Sequence, residues 1–213
     1  GPLLVVGRTS NVRPDGATFG AVQRTSEAAA FLGPGFTGSF VGLLQGSSVP
    51  GFRTNVGVTN LSGTAAWVTI RLRGKDSENL GEPVVLSVPP RGLVQVVDVF
   101  GAAGAGDRDL AWATVEVTTP GALVWAYASV IDDRTNDPRT LLPTTSGSGG
   151  AWLLPSSARA GGQGGAYYTT QLTLANRSTT DAAVTLQFLG QERVFIDEAF
   201  AYELADALAA RGV

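Results

Sequence analysis

The sequence predicts an all-β chain built from two antiparallel β-sandwich repeats, the second completed by a strand from the N-terminus. Three observations carry that expectation. Apolar residues recur with period 2 in short runs bounded by turn-formers. Glycine is abundant, 28 of 213 residues, and charged residues make up only 15%, a composition suited to strands joined by tight turns. The third observation is an internal repeat.

Residues 52–74 read FRTNVGVTNLSGTAAWVTIRLRG, and residues 168–190 read YTTQLTLANRSTTDAAVTLQFLG. The two align without a gap. Thr54 matches Thr170, Asn60 matches Asn176, Ser62 matches Ser178, Thr64 matches Thr180, Val68 matches Val184, Thr69 matches Thr185 and Gly74 matches Gly190. Each copy reads as a β-hairpin. Val56, Val58, Val68 and Ile70 form the buried face of the first, and Leu172, Leu174, Val184 and Leu186 that of the second. Asn60-Leu61-Ser62-Gly63 and Asn176-Arg177-Ser178-Thr179 supply the turns.

After the first copy the chain continues with two further strands, at 110–118 and 122–131, and a polar turn at 132–138. The N-terminus resembles that ending. Residues 1–6, GPLLVV, resemble residues 121–126, GALVWA, and a polar turn at 11–16 stands where 132–138 stands in the complete copy. The chain thus opens with the end of a repeat and runs into the start of another. The expected organisation is a closing strand of the split repeat at 1–24, a complete sandwich at 25–146 and an incomplete one at 147–213, each sandwich Ig-like. Leu3, Leu4, Val5 and Val6 are too apolar to be left in water, at about 1.5–3 kcal/mol per fully buried Leu or Val. They are therefore the expected interface: a strand closing the sandwich of a neighbouring subunit, or folding back on its own. Ala-rich residues 27–32 and 202–211 suggest short helices.

The stretches LLVVGRTSN, DGATFGAV, FRTNVGVTN, VVDVF and WAYASVIDDRTNDP together resemble a tandem Ig-like module of exported bacterial proteins, appended to or strung along large extracellular chains. That resemblance implies a secreted or cell-surface location and a module with no established enzymatic activity.

Composition narrows the chemistry. There is no His and no Cys, so Ser-His-Asp and Cys-His arrangements are excluded, as are disulfides. A net charge of -3 offers little to neutralise a phosphate backbone, so no nucleic-acid partner is expected. No apolar run is long enough to span a bilayer as a helix. Lys75, the only lysine, sits in a polar turn. Asp107 with Asp109, and Asp132-Asp133 with Asp137, are paired carboxylates of the kind glycoside hydrolysis uses, but they lie in turn-like segments where carboxylates cap backbone amides. Asp132, Asp133, Asn136 and Asp137 form an oxygen-rich cluster suited to calcium, without the spacing of an EF-hand loop, and Arg134 and Arg139 stand near enough to pair with it instead. The Asn60 and Asn176 sequons read more simply as turn residues. Of the tryptophans, Trp125 lies in an apolar strand and is expected in the core, whereas Trp67 and Trp112 stand near strand ends and are candidates for a sugar platform. The function expected is structural or adhesive: a subunit of a head-to-tail homopolymer or repeat array built by strand complementation. The alternative is a carbohydrate- or ligand-binding accessory module.

Overall fold

The computed structural model describes residues 6–12, 18–24, 31–47, 51–144, 154, 157–162, 165, 167–176, 178 and 180–187. Gly1–Arg177 forms one compact unit and Ser178–Val213 another. The fold of the first unit is all-β, with every paired ladder antiparallel. Its strands are β1 (Val6–Val12), β2 (Thr18–Arg24), β3 (Thr37–Gln45), β4 (Phe52–Asn60), β5 (Ala66–Gly74), β6 (Asn79–Val88), β7 (Leu93–Val96), β8 (Arg108–Val117), β9 (Val124–Asp132), β10 (Pro138–Leu141), β11 (Arg159–Gly161) and β12 (Tyr167–Thr169). One short helix, α1 (Val99–Ala103), follows β7.

Two four-stranded sheets face each other, in the orders β10-β9-β4-β7 and β3-β8-β5-β6. Alternation in each strand sends one set of side chains into a shared core. Val56 and Val58 enter from β4, and Ala126, Ala128 and Val130 from β9; they meet Phe40 and Leu43 of β3, Val68 and Ile70 of β5, and Ala113 and Val115 of β8. Phe100 and Val99 of α1 close one end. The helix sits tight on β6: a Cβ at Gly81, where φ is +63°, would lie 2.0 Å from the Ala103 carbonyl oxygen, so only glycine fits there. The sheets are also tied at their margins. Arg139 of β10 donates from Nη2 to the Gly42 carbonyl of β3 at 2.6 Å, and Ser39 and Thr144 exchange two backbone hydrogen bonds at 2.9 Å.

Strands β4 and β5 correct the expected hairpin. They are successive but unpaired; β4 lies between β9 and β7, and β5 between β8 and β6. Residues 60–66 form an arch from one sheet to the other. The burial expectation nevertheless holds for this copy, because Val56, Val58, Val68 and Ile70 are all fully buried. The physical reason is that alternation fixes which face is apolar but not which sheet holds the strand. Asn60 makes the arch. Fully buried, its Nδ2 donates toward the carbonyls of Thr64 at 2.7 Å and of Val88 and Pro89 at 3.1 Å, while its Oδ1 accepts the Ser62 N–H at 2.9 Å. One side chain thus links the end of β4, the arch and the end of β6.

The second copy departs from expectation. Leu172, Leu174, Val184 and Leu186 were expected inside but are 51, 57, 57 and 69% exposed, and neither 171–176 nor 181–187 is strand. In the first copy the matching residues are buried by strands β8 and β9 from elsewhere in the sequence. Among the described residues of the first unit no strand pairs with 171–176.

Candidate functional site

The oxygen-rich turn after β9 is built as a self-contained loop. Asp132 Oδ1 accepts the backbone N–H groups of Arg134 at 2.7 Å and Thr135 at 3.2 Å. The Asn136 N–H donates to the Asp132 carbonyl at 2.7 Å, and Asn136 takes a left-handed φ of 57°. Asp137 N–H donates to Thr135 Oγ1 at 3.2 Å. Arg53 of β4 reaches over this turn: its Nη1 pairs with Asp133 Oδ1 and its Nη2 donates to Asn136 Oδ1 at 3.2 Å. The candidate calcium ligands therefore share one turn, but the side-chain oxygens of Asp132, Asp133 and Asn136 face backbone amides and a guanidinium rather than a common centre. No cluster of three or more His, Cys, Asp or Glu side chains fit for a metal occurs among the described residues. Asp107 accepts the Ser47 backbone N–H at 2.9 Å and the Ser47 hydroxyl at 2.7 Å, and these two bonds hold its carboxyl below the usual range.

The candidate interface strand is described only in part. Leu3, Leu4 and Val5 lie outside the described residues, as do Trp152, the helix expected at 202–211 and residues 27–30 of the one expected at 27–32, whose last residue, Leu32, is not helical but bridges Val124. Val6 begins β1, whose ladder runs to β2 from Val6↔Arg24 to Val12↔Thr18. The expected pairing of this strand with the second repeat is not found among the described residues. Like β9 and β10, where Ile131 pairs with Pro138 and Ala128 with Leu141, β1 and β2 form an antiparallel hairpin.

The tryptophans divide differently from expectation. Trp67 is 52% exposed. Trp112 is half-buried and donates from Nε1 to the Gly74 carbonyl at 3.1 Å. Trp125, expected in the core, is on the outer face of the β10-β9-β4-β7 sheet. The core side of β9 is lined by Ala126, Ala128 and Val130, so Trp125 and Tyr127 point the other way. Their ring centroids are 5.5 Å apart. Tyr127 lies across Gly57 of β4, where a Cβ would stand 2.1 Å from its ring, and donates its hydroxyl to Gln95 Oε1 of β7 at 2.5 Å. Phe31, Thr59, Leu61 and Trp125 line a shallow groove of about 200 Å³ beside this pair. Leu93, 56% exposed, is opposite Thr59 on β7. Sequence reasoning missed this surface, although small Ala126 and Ala128 alternating with aromatic Trp125 and Tyr127 encode it.

Burial pushes the Tyr127 hydroxyl above its ordinary pKa. The neutral form is thus favoured in the folded state, and stability is expected to fall as pH rises through about 10, where the unfolded chain ionises first. Tyr127→Phe is expected to flatten that alkaline loss in thermal melts between neutral pH and pH values above the ordinary tyrosine range.

No protein-family model matches the chain, and no curated protein matches it. It is similar to a solved structure described as "Crystal Structure of Thermotoga maritima 1070", at 18% identity, over 54% of this chain and 96% of that one, with a TM-score of 0.38.

Proposed function

We propose that the chain is a non-enzymatic extracellular structural or adhesive protein, a subunit of a surface filament or repeat array assembled by β-strand complementation between Ig-like sandwiches. One observation carries the reading: a segment matching β4 and β5 leaves Leu172, Leu174, Val184 and Leu186 exposed, whereas its counterpart in the same chain is buried between strands supplied from afar. A strand supplied by another subunit is one way of covering such an exposed apolar segment. A head-to-tail contact of that kind propagates. The arch from β4 to β5, crossing between sheets, supports the Ig-like assignment. The absence of His and Cys, and the use of the turn carboxylates by backbone amides, support a role without catalysis. Low charge with no oxidisable Cys or Met suits an extracellular fibre.

Electron microscopy and sedimentation of the purified chain test this. Concentration-dependent linear assemblies are expected, and deletion of residues 1–11 is expected to yield soluble monomers whose 31–144 sandwich melts unchanged. A wild-type chain that stays monomeric at every concentration rejects the reading.

The aromatic face favours a second reading, a carbohydrate-binding module. The Trp125–Tyr127 pair, its rings tilted by 35° and edged by Gln95 and Thr59, offers aromatic surface for the C–H face of a sugar and hydrogen bonds for its hydroxyls. Glycan-array binding lost in Trp125→Ala but kept in Trp67→Ala would support it; an array without hits removes it.

A further inference from the structure

We propose that the outer edge of β1 is the complement of residues 170–175, paired antiparallel in the register that β9 adopts on β4. The inference deepens the strand-complementation reading and rests on it for the presence of a second copy. In the complete repeat, β9 carries β10 on one edge and β4 on the other, with Val56 opposite Ala128 and Val58 opposite Ala126. The β1–β2 hairpin is antiparallel like the β9–β10 hairpin, and β1 has no partner on its second edge among the described residues. Residues 168–176 are the ungapped copy of β4. Tyr167–Thr169 pair as β12 with β11, but no strand pairs with 171–175 among the described residues; that segment and the open edge of β1 thus resemble in sequence two segments that pair in this same chain.

Side-chain parity selects the face of β1 that turns inward, and the smallest shift that satisfies it gives the register. Aligning residues 1–6 with 121–126 would place Arg8 at the position of Ala128, which is fully buried. A one-residue slip exchanges the two faces of a strand, and an unpaired guanidinium in an apolar core is strongly unfavourable. Shifted by one residue, Gly7 and Thr9 stand at the positions of Ala126 and Ala128, Ser10 at Ser129, and Val12 at Ile131. Arg8 then takes the position of Tyr127, on the outer face. In this register Leu172 faces Thr9, Leu174 faces Gly7, and Thr170 faces Asn11. Leu174 with Gly7 replaces Val58 with Ala126, the methylene gained on one strand being lost on the other, the kind of volume-conserving exchange that cores accept. The small residues of β1 thus fall opposite the larger leucines of the second copy.

The chain has no cysteine, so paired cysteines can be introduced without background. Thr9→Cys is combined in turn with Thr170→Cys, Gln171→Cys, Leu172→Cys, Thr173→Cys and Leu174→Cys, oxidised, and run without reductant. The dominant disulfide is expected at Leu172→Cys, as an intermolecular ladder, because only directly opposed residues bring Cα atoms within about 4.4–6.8 Å with converging Cβ vectors. A maximum at any other position, or no disulfide, overturns the register. An intramolecular disulfide at Leu172→Cys upholds the register and rejects the filament. Ser10→Cys with Gln171→Cys reads the same register from the opposite face and serves should Thr9→Cys fail to fold.

Discussion

Replacing Asn60 with alanine is expected to lower stability by about 3 kcal/mol and the melting temperature by about 10 °C. The side chain is fully buried and serves four backbone groups, the carbonyls of Thr64, Val88 and Pro89 and the N–H of Ser62. Removing it leaves several of these without partners, and a buried polar group left unpaired costs about 1–3 kcal/mol. It also unties the arch from the end of β6, so both sheets lose a restraint together. Asn176 matches Asn60 in the repeat but is exposed. Asn176→Ala is expected to change the melting temperature little, as surface substitutions within about 0.5 kcal/mol do. Calorimetry on the two variants checks the pair; equal losses would mean that Asn60 does not act through burial.

Substituting Leu172 and Leu174 together by aspartate is expected to abolish assembly while leaving the melting of the 31–144 sandwich where it is. Both side chains are more than half exposed in the isolated chain, so the fold does not depend on them. Buried in a complemented sandwich, each would contribute about 1.5–3 kcal/mol. Losing both weakens association by about two to four powers of ten. Two carboxylates in the apolar seam add a desolvation penalty. Sedimentation velocity across a concentration series reads the effect. Unchanged assembly by the double variant would show that these leucines lie outside the contact.

Much of the first repeat was legible because alternation is a local property. Val56, Val58, Val68 and Ile70 announce their faces by spacing alone, the strands at 110–118 and 122–131 appear as β8 and β9, and the turn at 132–138 follows from its Asp and Asn residues. The arch was not legible, because Asn60-Leu61-Ser62-Gly63 satisfies a hairpin and an inter-sheet crossing equally well; the difference lies in the Val88 and Pro89 carbonyls that Asn60 meets from a distant strand. Trp125 was misplaced for a related reason. An uninterrupted apolar strand suggests two buried faces, yet here the small residues fill the core and the aromatics stand outside it. The second copy shows the limit of a repeat argument. A matching sequence transfers local periodicity, but the burial of Leu172 and Leu174 depends on strands that the match does not contain.

The arch at Asn60 also sets the order in which the chain can fold. Because β4 and β5 do not pair, neither stabilises the other as it leaves the ribosome. Strand β4 must wait for β7 and β9, and β3 must wait for β8. Four of the eight ladders among the described residues, including every ladder of β3 and β4, therefore join segments far apart in sequence, the topology associated with folding in milliseconds to seconds rather than microseconds. During that interval Val56, Val58, Val68 and Ile70 are exposed on nascent, edge-open strands that closely resemble those of the second copy. Misfolding by pairing between repeats is the hazard this creates, and the low similarity of residues 66–74 to 182–190 at their outward positions, Trp67, Arg71 and Arg73 against Ala183, Gln187 and Leu189, works against it.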